Sequence, residues 1–196
     1  MLQVKNVKVY DLEESVIACR NAMRTEIPEY TEVEFKQSLE RAKKLVRSSA
    51  ESKDVKCHDN FLTGIRVSFD LIYPNYISPE LQRYHWIDIV TSSSKMHRIM
   101  KMNLDCCFNK YVTAESKNQM KELVENYNNA PCYEHFMLVI SNCPLGLELF
   151  MRVSTNYKQL QTIYHQRKNH KLKEDWGAFC EFIKGLPYAK EFITGE

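Results

Sequence analysis

From Gln3 to Tyr10 polar and apolar residues alternate, the two-residue period of a strand with one face buried. Asp11 and Glu14 then stand three apart, just ahead of Val16, Ile17 and Cys19. That is a capping-box spacing, and it predicts a helix through Cys19. Pro28 punctuates it. Between Thr31 and Ser48, the positions Val33, Phe35, Leu39, Ala42 and Leu45 form an apolar stripe that predicts a second helix. Ser48 to Lys56 is polar and reads as a surface connection. Ile65 to Leu71 alternates strictly, as a strand does, and Pro74-Asn75 ends it. Ser78-Pro79 reads as an N-cap followed by proline at the first helical position. Leu81, His85 and Ile89 follow at intervals of four, which predicts a helix reaching Ser94 or beyond. Ala114 to Tyr127 and Cys132 to Ser141 also read as helices. Leu147 to Ser154 alternates again, Asn156 closes that strand and opens a helix, and a last helix starts at Glu174. No repeat, low-complexity tract or linker interrupts the pattern. A few strands among many helices predict a single α+β domain over 1–196, with an antiparallel or mixed sheet flanked by helices.

Composition narrows the classes. A chain of 196 residues is long enough to bury a core without disulfides or metal. No run of about 18 apolar residues occurs, so no membrane-spanning helix is expected. Met1 to Lys5 begins a strand rather than a signal peptide, because no apolar stretch follows. Seven cysteines in an otherwise ordinary chain read as reduced thiols, which places the protein in the cytoplasm. With five glycines and no glycine-rich loop, a Rossmann or P-loop phosphate site is not expected. The net charge of +2 argues neither for nor against nucleic acid.

Candidate chemistry concentrates in two places. Asn156 and Arg167 lie eleven positions apart on one helix, about three turns. An amide can read a base edge, and a guanidinium can pair with a phosphate or a base carbonyl. The second place runs from Gln82 to Arg98. There Tyr84 and Trp86 offer flat faces for a ring, and His85 and His97 supply imidazoles that can donate or accept hydrogen bonds. Three serines ending at Ser94, just before Lys95 and Arg98, would suit an anion if they open a helix; the bland alternative is a core-facing aromatic stripe and a solvated break. Cys57-His58-Asp59-Asn60 is polar and turn-forming. Cys132-x-x-His135 and Cys106-Cys107 do not complete a zinc clip, so no metal is expected. The basic run Tyr164 to Lys173 reads as a solvated helix end, because cations favour that end of the dipole, and polynucleotide binding is not expected.

Two stretches, covering about a third of the chain, resemble the flavin-dependent thymidylate synthases. In the first, Cys57 to Asn60 stands where that family has a Gly-His turn, and Ile65 to Leu71 stands for its strand. His85 aligns with the histidine of its R-H-R motif, and Ser94 with the serine downstream. In the second, Pro144, the strand, Asn156, Lys158 (for an arginine), Leu160 and Arg167 fall at the family spacing. The motif is incomplete: R-H-R reads Tyr84-His85-Trp86 in one register and Arg83-Tyr84-His85 in the other. Each missing guanidinium fork removes a charge-assisted bond worth roughly 1.5–3 kcal/mol. The resemblance implies the family's fold, a homotetramer, and a site between subunits that takes dUMP or a similar nucleotide with FAD. It also implies one-carbon transfer to dUMP with reduced flavin as hydride donor. Arg167 would meet the pyrimidine or phosphate, Asn156 the nucleotide or flavin, and Ser94 a phosphate. His85 and Trp86 would form one wall, with Arg83 and Lys158 as nearby cations and His58 approaching from the turn. Another reading is a non-catalytic assembly or regulatory protein that keeps the fold and its oligomer.

Overall fold

The computed structural model describes residues 1–51 and 58–196. Four strands, β1 (Gln3–Tyr10), β2 (Arg66–Pro74), β3 (Asp88–Ser92) and β4 (Glu148–Asn156), form one antiparallel sheet in the order β1-β2-β4-β3. The strict alternation of the two central strands reflects one buried face and one mostly polar face. Val67, Phe69 and Leu71 of β2 and Leu149, Met151 and Val153 of β4 point to one face and are buried. Ser68, Asp70, Arg152 and Ser154 take the other face, where Arg152 donates to Asp70 at 3.1 Å.

The helices are α1 (Leu12–Ala18), α2 (Glu32–Glu51), α3 (Ser78–Leu81), α4 (Lys95–Arg98), α5 (Ala114–Asn129), α6 (Tyr133–Asn142), α7 (Tyr157–Arg167) and α8 (Lys173–Lys184). A π-helix, Lys190–Thr194, follows. Two of them cover the apolar face of the sheet. Helix α8 lays down Trp176, Phe179, Cys180 and Ile183, at the three-and-four spacing of one helical face. The ring of Phe69 in β2 lies 5.9 Å from that of Phe179 and 5.0 Å from that of Phe182. Helix α7 contributes Tyr157, Leu160, Ile163 and Tyr164. Asp175, buried in the first turn of α8, accepts from the backbone of Leu2 at 3.1 Å and from the Tyr76 hydroxyl at 2.7 Å. One carboxylate thus ties β1, the segment after β2 and α8 together. Burial, with Asp175 second, pushes the Tyr76 hydroxyl far above its usual range.

Four expectations are corrected. The helix foreseen from Ser78 to Ser94 stops after one turn at Leu81, and Ser78 is itself its first residue. Trp86 to Thr91 instead runs as a strand and its approach: β3 pairs with β4, and Val90 sits in the irregularity between Ile89 and Thr91. The i, i+4 spacing was real, but the β-branched run could satisfy its backbone groups against a free edge supplied by a segment 60 residues away. The capping box at Asp11 does not form, because Asp11 adopts a left-handed conformation with φ 55° and its side chain caps nothing. In α2 the buried face is Phe35, Ser38, Ala42, Val46 and Ser49, while Val33 is exposed. The connection after Ser48 stays helical to Glu51, and the rest of it lies outside the described residues.

Candidate ligand-binding site

Helix α7 starts because Asn156, at the end of β4, turns its side chain back on the first turn. Its amide oxygen accepts the backbone N–H of Gln159 at 2.8 Å. The residue is buried, so this oxygen is committed to the cap. Three turns on, Arg167 folds over Trp176, its guanidinium carbon 4.4 Å from the indole centroid. Its Nε donates to the Tyr84 hydroxyl at 2.7 Å and its Nη1 to Glu80 of α3 at 2.8 Å. The same Glu80 oxygen accepts from the Trp176 indole N–H at 2.7 Å. Sequence reading missed Glu80 and the inward role of Tyr84. Tyr84 is buried and also donates to Gln166 at 3.1 Å.

Around this network opens a cleft of about 500 Å³. Its walls are Arg83, Tyr84 and His85 on one side and Gln159, Thr162, Gln166 and Arg167 of α7 on the other. Three of the singled-out residues, Arg83, His85 and Arg167, therefore meet in one place, although Arg167 lies 82 positions beyond His85. The i, i+4 pair of Thr162 and Gln166 had no motif to flag it. The chemistry is that of a polar, cationic cleft: two guanidinium groups, an imidazole, two hydroxyls and two amides.

The remaining candidates sit elsewhere. Trp86 follows His85 but exposes its ring outside the cleft walls; its backbone donates to Gln159 at 3.3 Å, and its carbonyl accepts from Thr155 at 2.8 Å. Ser94 caps α4 through the N–H of His97 at 3.4 Å, and Ser93 exchanges two hydrogen bonds with the backbone of Phe150. The serines are thus occupied by the sheet edge and a one-turn helix. Lys158 donates to Asp59 and to Gln161, at 3.2 Å for the latter. Asp59 is buried, and its second oxygen has no hydrogen-bond partner among the described residues. His58 lines a separate cavity of about 410 Å³ beside Ser15, Cys19 and Phe61; Cys57 lies outside the described residues.

The cysteines behave locally. Cys132 caps α6 through the N–H of His135 at 3.4 Å, and the His135 ring contacts the carbonyl of Ala130 at 2.8 Å. Cys106 is exposed, whereas Cys107 is buried and its thiol is pushed up to about 11, chiefly by that burial. Among the described residues no group of three histidine, cysteine or acidic side chains could hold a metal ion. No helix there is long and apolar enough to cross a membrane.

No protein-family model matches the sequence, and no curated protein matches it significantly. Solved structures do match its fold. The flavin-dependent thymidylate synthase ThyX from Helicobacter pylori, complexed with FAD and dUMP, superposes with a TM-score of 0.70 at 15% identity, covering 97% of each chain. A second structure of that enzyme with FAD and dUMP gives 0.69 at 16% identity, over 98% of this chain and 97% of the other. A UMP/dUMP methylase, PolB from Streptomyces cacaoi bound with 5-Br dUMP, gives 0.63 at 11% identity, over 100% of this chain and 95% of the other. The architecture is therefore that of the flavin-dependent thymidylate synthases: an antiparallel sheet flanked by helices, alike over almost the full length of both chains.

Proposed function

We propose that this chain binds a pyrimidine mononucleotide of the dUMP type in the Arg83–His85–Arg167 cleft, at a seam between subunits of a homotetramer, and modifies that nucleotide. The observation that carries the reading is the convergence of Arg83, His85 and Arg167 on one cleft. Support comes from the nucleotides named with structures of the same fold: dUMP in one, 5-Br dUMP and 5-Br UMP in the other. Arg83 supplies a fork for phosphate, while Thr162 and Gln166 offer hydrogen bonds to a base or sugar. Arg167, already held by Glu80, presents the rest of its guanidinium edge to a ring carbonyl.

FAD fits these residues less well. Tyr84, at the centre of the tract, turns its hydroxyl into the Arg167 network, so the tract brings one guanidinium to the cleft for a diphosphate. Weak flavin retention is the expected result, and no step is assigned to flavin. Differential scanning fluorimetry with dUMP, UMP and FAD tests the reading. A ligand at 100 times its Kd stabilises by about 2.7 kcal/mol, a shift readily seen. An absorption spectrum of the protein purified without added cofactor tests flavin separately.

A non-catalytic assembly protein is the second reading. Two observations favour it: Arg167 is ion-paired internally, and the Asn156 amide oxygen is spent on a cap. A tetramer by sedimentation, with no thermal shift across the nucleotide and flavin panel, would select it.

A further inference from the structure

Helix α7 has a second polar face. Gln161 and His165 lie one turn apart, each about 100° around the axis from Thr162 and Gln166 of the cleft. They open on a different cavity, of about 360 Å³, closed by the last turns of α2 and by the π-helix. Its floor is apolar: Val46, Phe192 and Ile193 are all nearly inaccessible. Gln161 braces one side by donating to the carbonyl of Phe192 at 3.4 Å. The rim is charged. Arg47 and Lys190 face the cavity, with Lys43, which pairs with Glu40 at 2.9 Å. Glu51 and Glu191 oppose them. Desolvation, then Lys168, holds the His165 imidazole below its usual range, so near neutrality it offers hydrogen bonds rather than charge.

We infer that this cavity is a second ligand site, for a singly charged organic anion with an apolar body, such as a medium-chain carboxylate. The volume lies at the lower end of small-molecule sites, about 300–1,000 Å³. An apolar floor takes the hydrocarbon, and Arg47 and Lys190 take the head group. The two rim carboxylates act as the filter: they tolerate a monoanion that a guanidinium can pair and repel a dianionic phosphate. The site depends on no residue of the nucleotide cleft.

Isothermal titration of the full chain with octanoate tests this. The expected result is one saturable site per chain, weakened at least tenfold in an Arg47→Glu/Lys190→Glu double variant. Ala50→Trp, which fills the cavity from an exposed position of α2, should abolish binding, while Arg167→Ala should leave it unchanged. Octyl phosphate should bind at least tenfold more weakly than octanoate. The proposal is overturned by no saturable binding of octanoate up to about 1 mM. It is equally overturned by unchanged affinity in folded forms of either cavity variant, or by octyl phosphate binding as tightly as octanoate.

Discussion

Arg167 and Asn156 share a helix but do different work. Replacing Arg167 by alanine removes the ion pair to Glu80 and the stacking on Trp176 together, and leaves the half-buried Glu80 carboxylate with the indole N–H at 2.7 Å and the His170 ring at 3.8 Å. Loss of a partly buried pair of this kind is expected to cost about 1–3 kcal/mol in chemical denaturation. It should also lower dUMP affinity at least tenfold. Lysine at 167 keeps the charge but not the fork, and should restore stability more than affinity. Asn156→Ala should cost about 1 kcal/mol, the usual worth of an N-cap, whereas Asn156→Ser retains a capping oxygen and should recover most of it. If the cap is its whole role, dUMP binding by the folded Asn156→Ala protein will match the wild type in the same titration. The Asn156–Arg167 spacing was legible in the sequence, but the uses of the two side chains were not. A cap needs the φ and ψ of the strand end, and the Arg167 pairing needs α3 and α8 brought alongside.

Elements are held to one another by charges that can be titrated. Glu34 of α2 pairs with Arg20 at 2.9 Å and with Arg24, fastening the segment after α1 to α2. The Arg24 hydrogen bond is the main reason its carboxyl lies below the ordinary range. Asp70 of β2 is lowered in the same way, first by Asn6 of β1 and then by Arg152 of β4. Carboxyls depressed in the folded state add stability above their unfolded value, near 4, and lose it as pH falls through the folded value. Thermal melts from pH 7 to 3 should therefore show the midpoint dropping below about pH 4, and Glu34→Gln should flatten that drop. The sheet's core depends on shape rather than charge. Phe69→Ala in β2 would open a void against Phe179 and Phe182 and should cost about 3–5 kcal/mol in denaturant unfolding. At this scale the pattern of apolar positions was a reliable guide where one face is buried, as in β2 and β4. It failed at β3, all of whose residues are exposed, so no burial period marks that strand.

For the whole molecule, the proposal that the cleft lies at a subunit seam makes self-association testable. Analytical ultracentrifugation is expected to show a tetramer, with dUMP affinity falling when dilution drives the protein to monomers. Full nucleotide affinity in a stable monomer would remove the subunit seam from the proposal while leaving the cleft in place. The overall architecture could be anticipated from two separated stretches. The resemblance put Arg83, His85 and Arg167 at one site, but Glu80, Thr162 and Gln166 had no such signal, because the cleft forms only when α7 passes over the segment between α3 and β3 and brings His85 beside a helix that begins more than 70 positions later.

The amino-acid order by itself determined the two central strands, the first strand, the long helices and the turn residues between them. These rest on local periods and on which face of each element is apolar. Folding in three dimensions decided that Asp88 to Ser92 pairs as an edge strand and that Glu80 holds Arg167. It also separated His58 from His85 and opened cavities on two faces of α7. Each of these depends on contacts between residues far apart in the chain, and hydrogen bonds and ion pairs of that kind leave no period in the sequence.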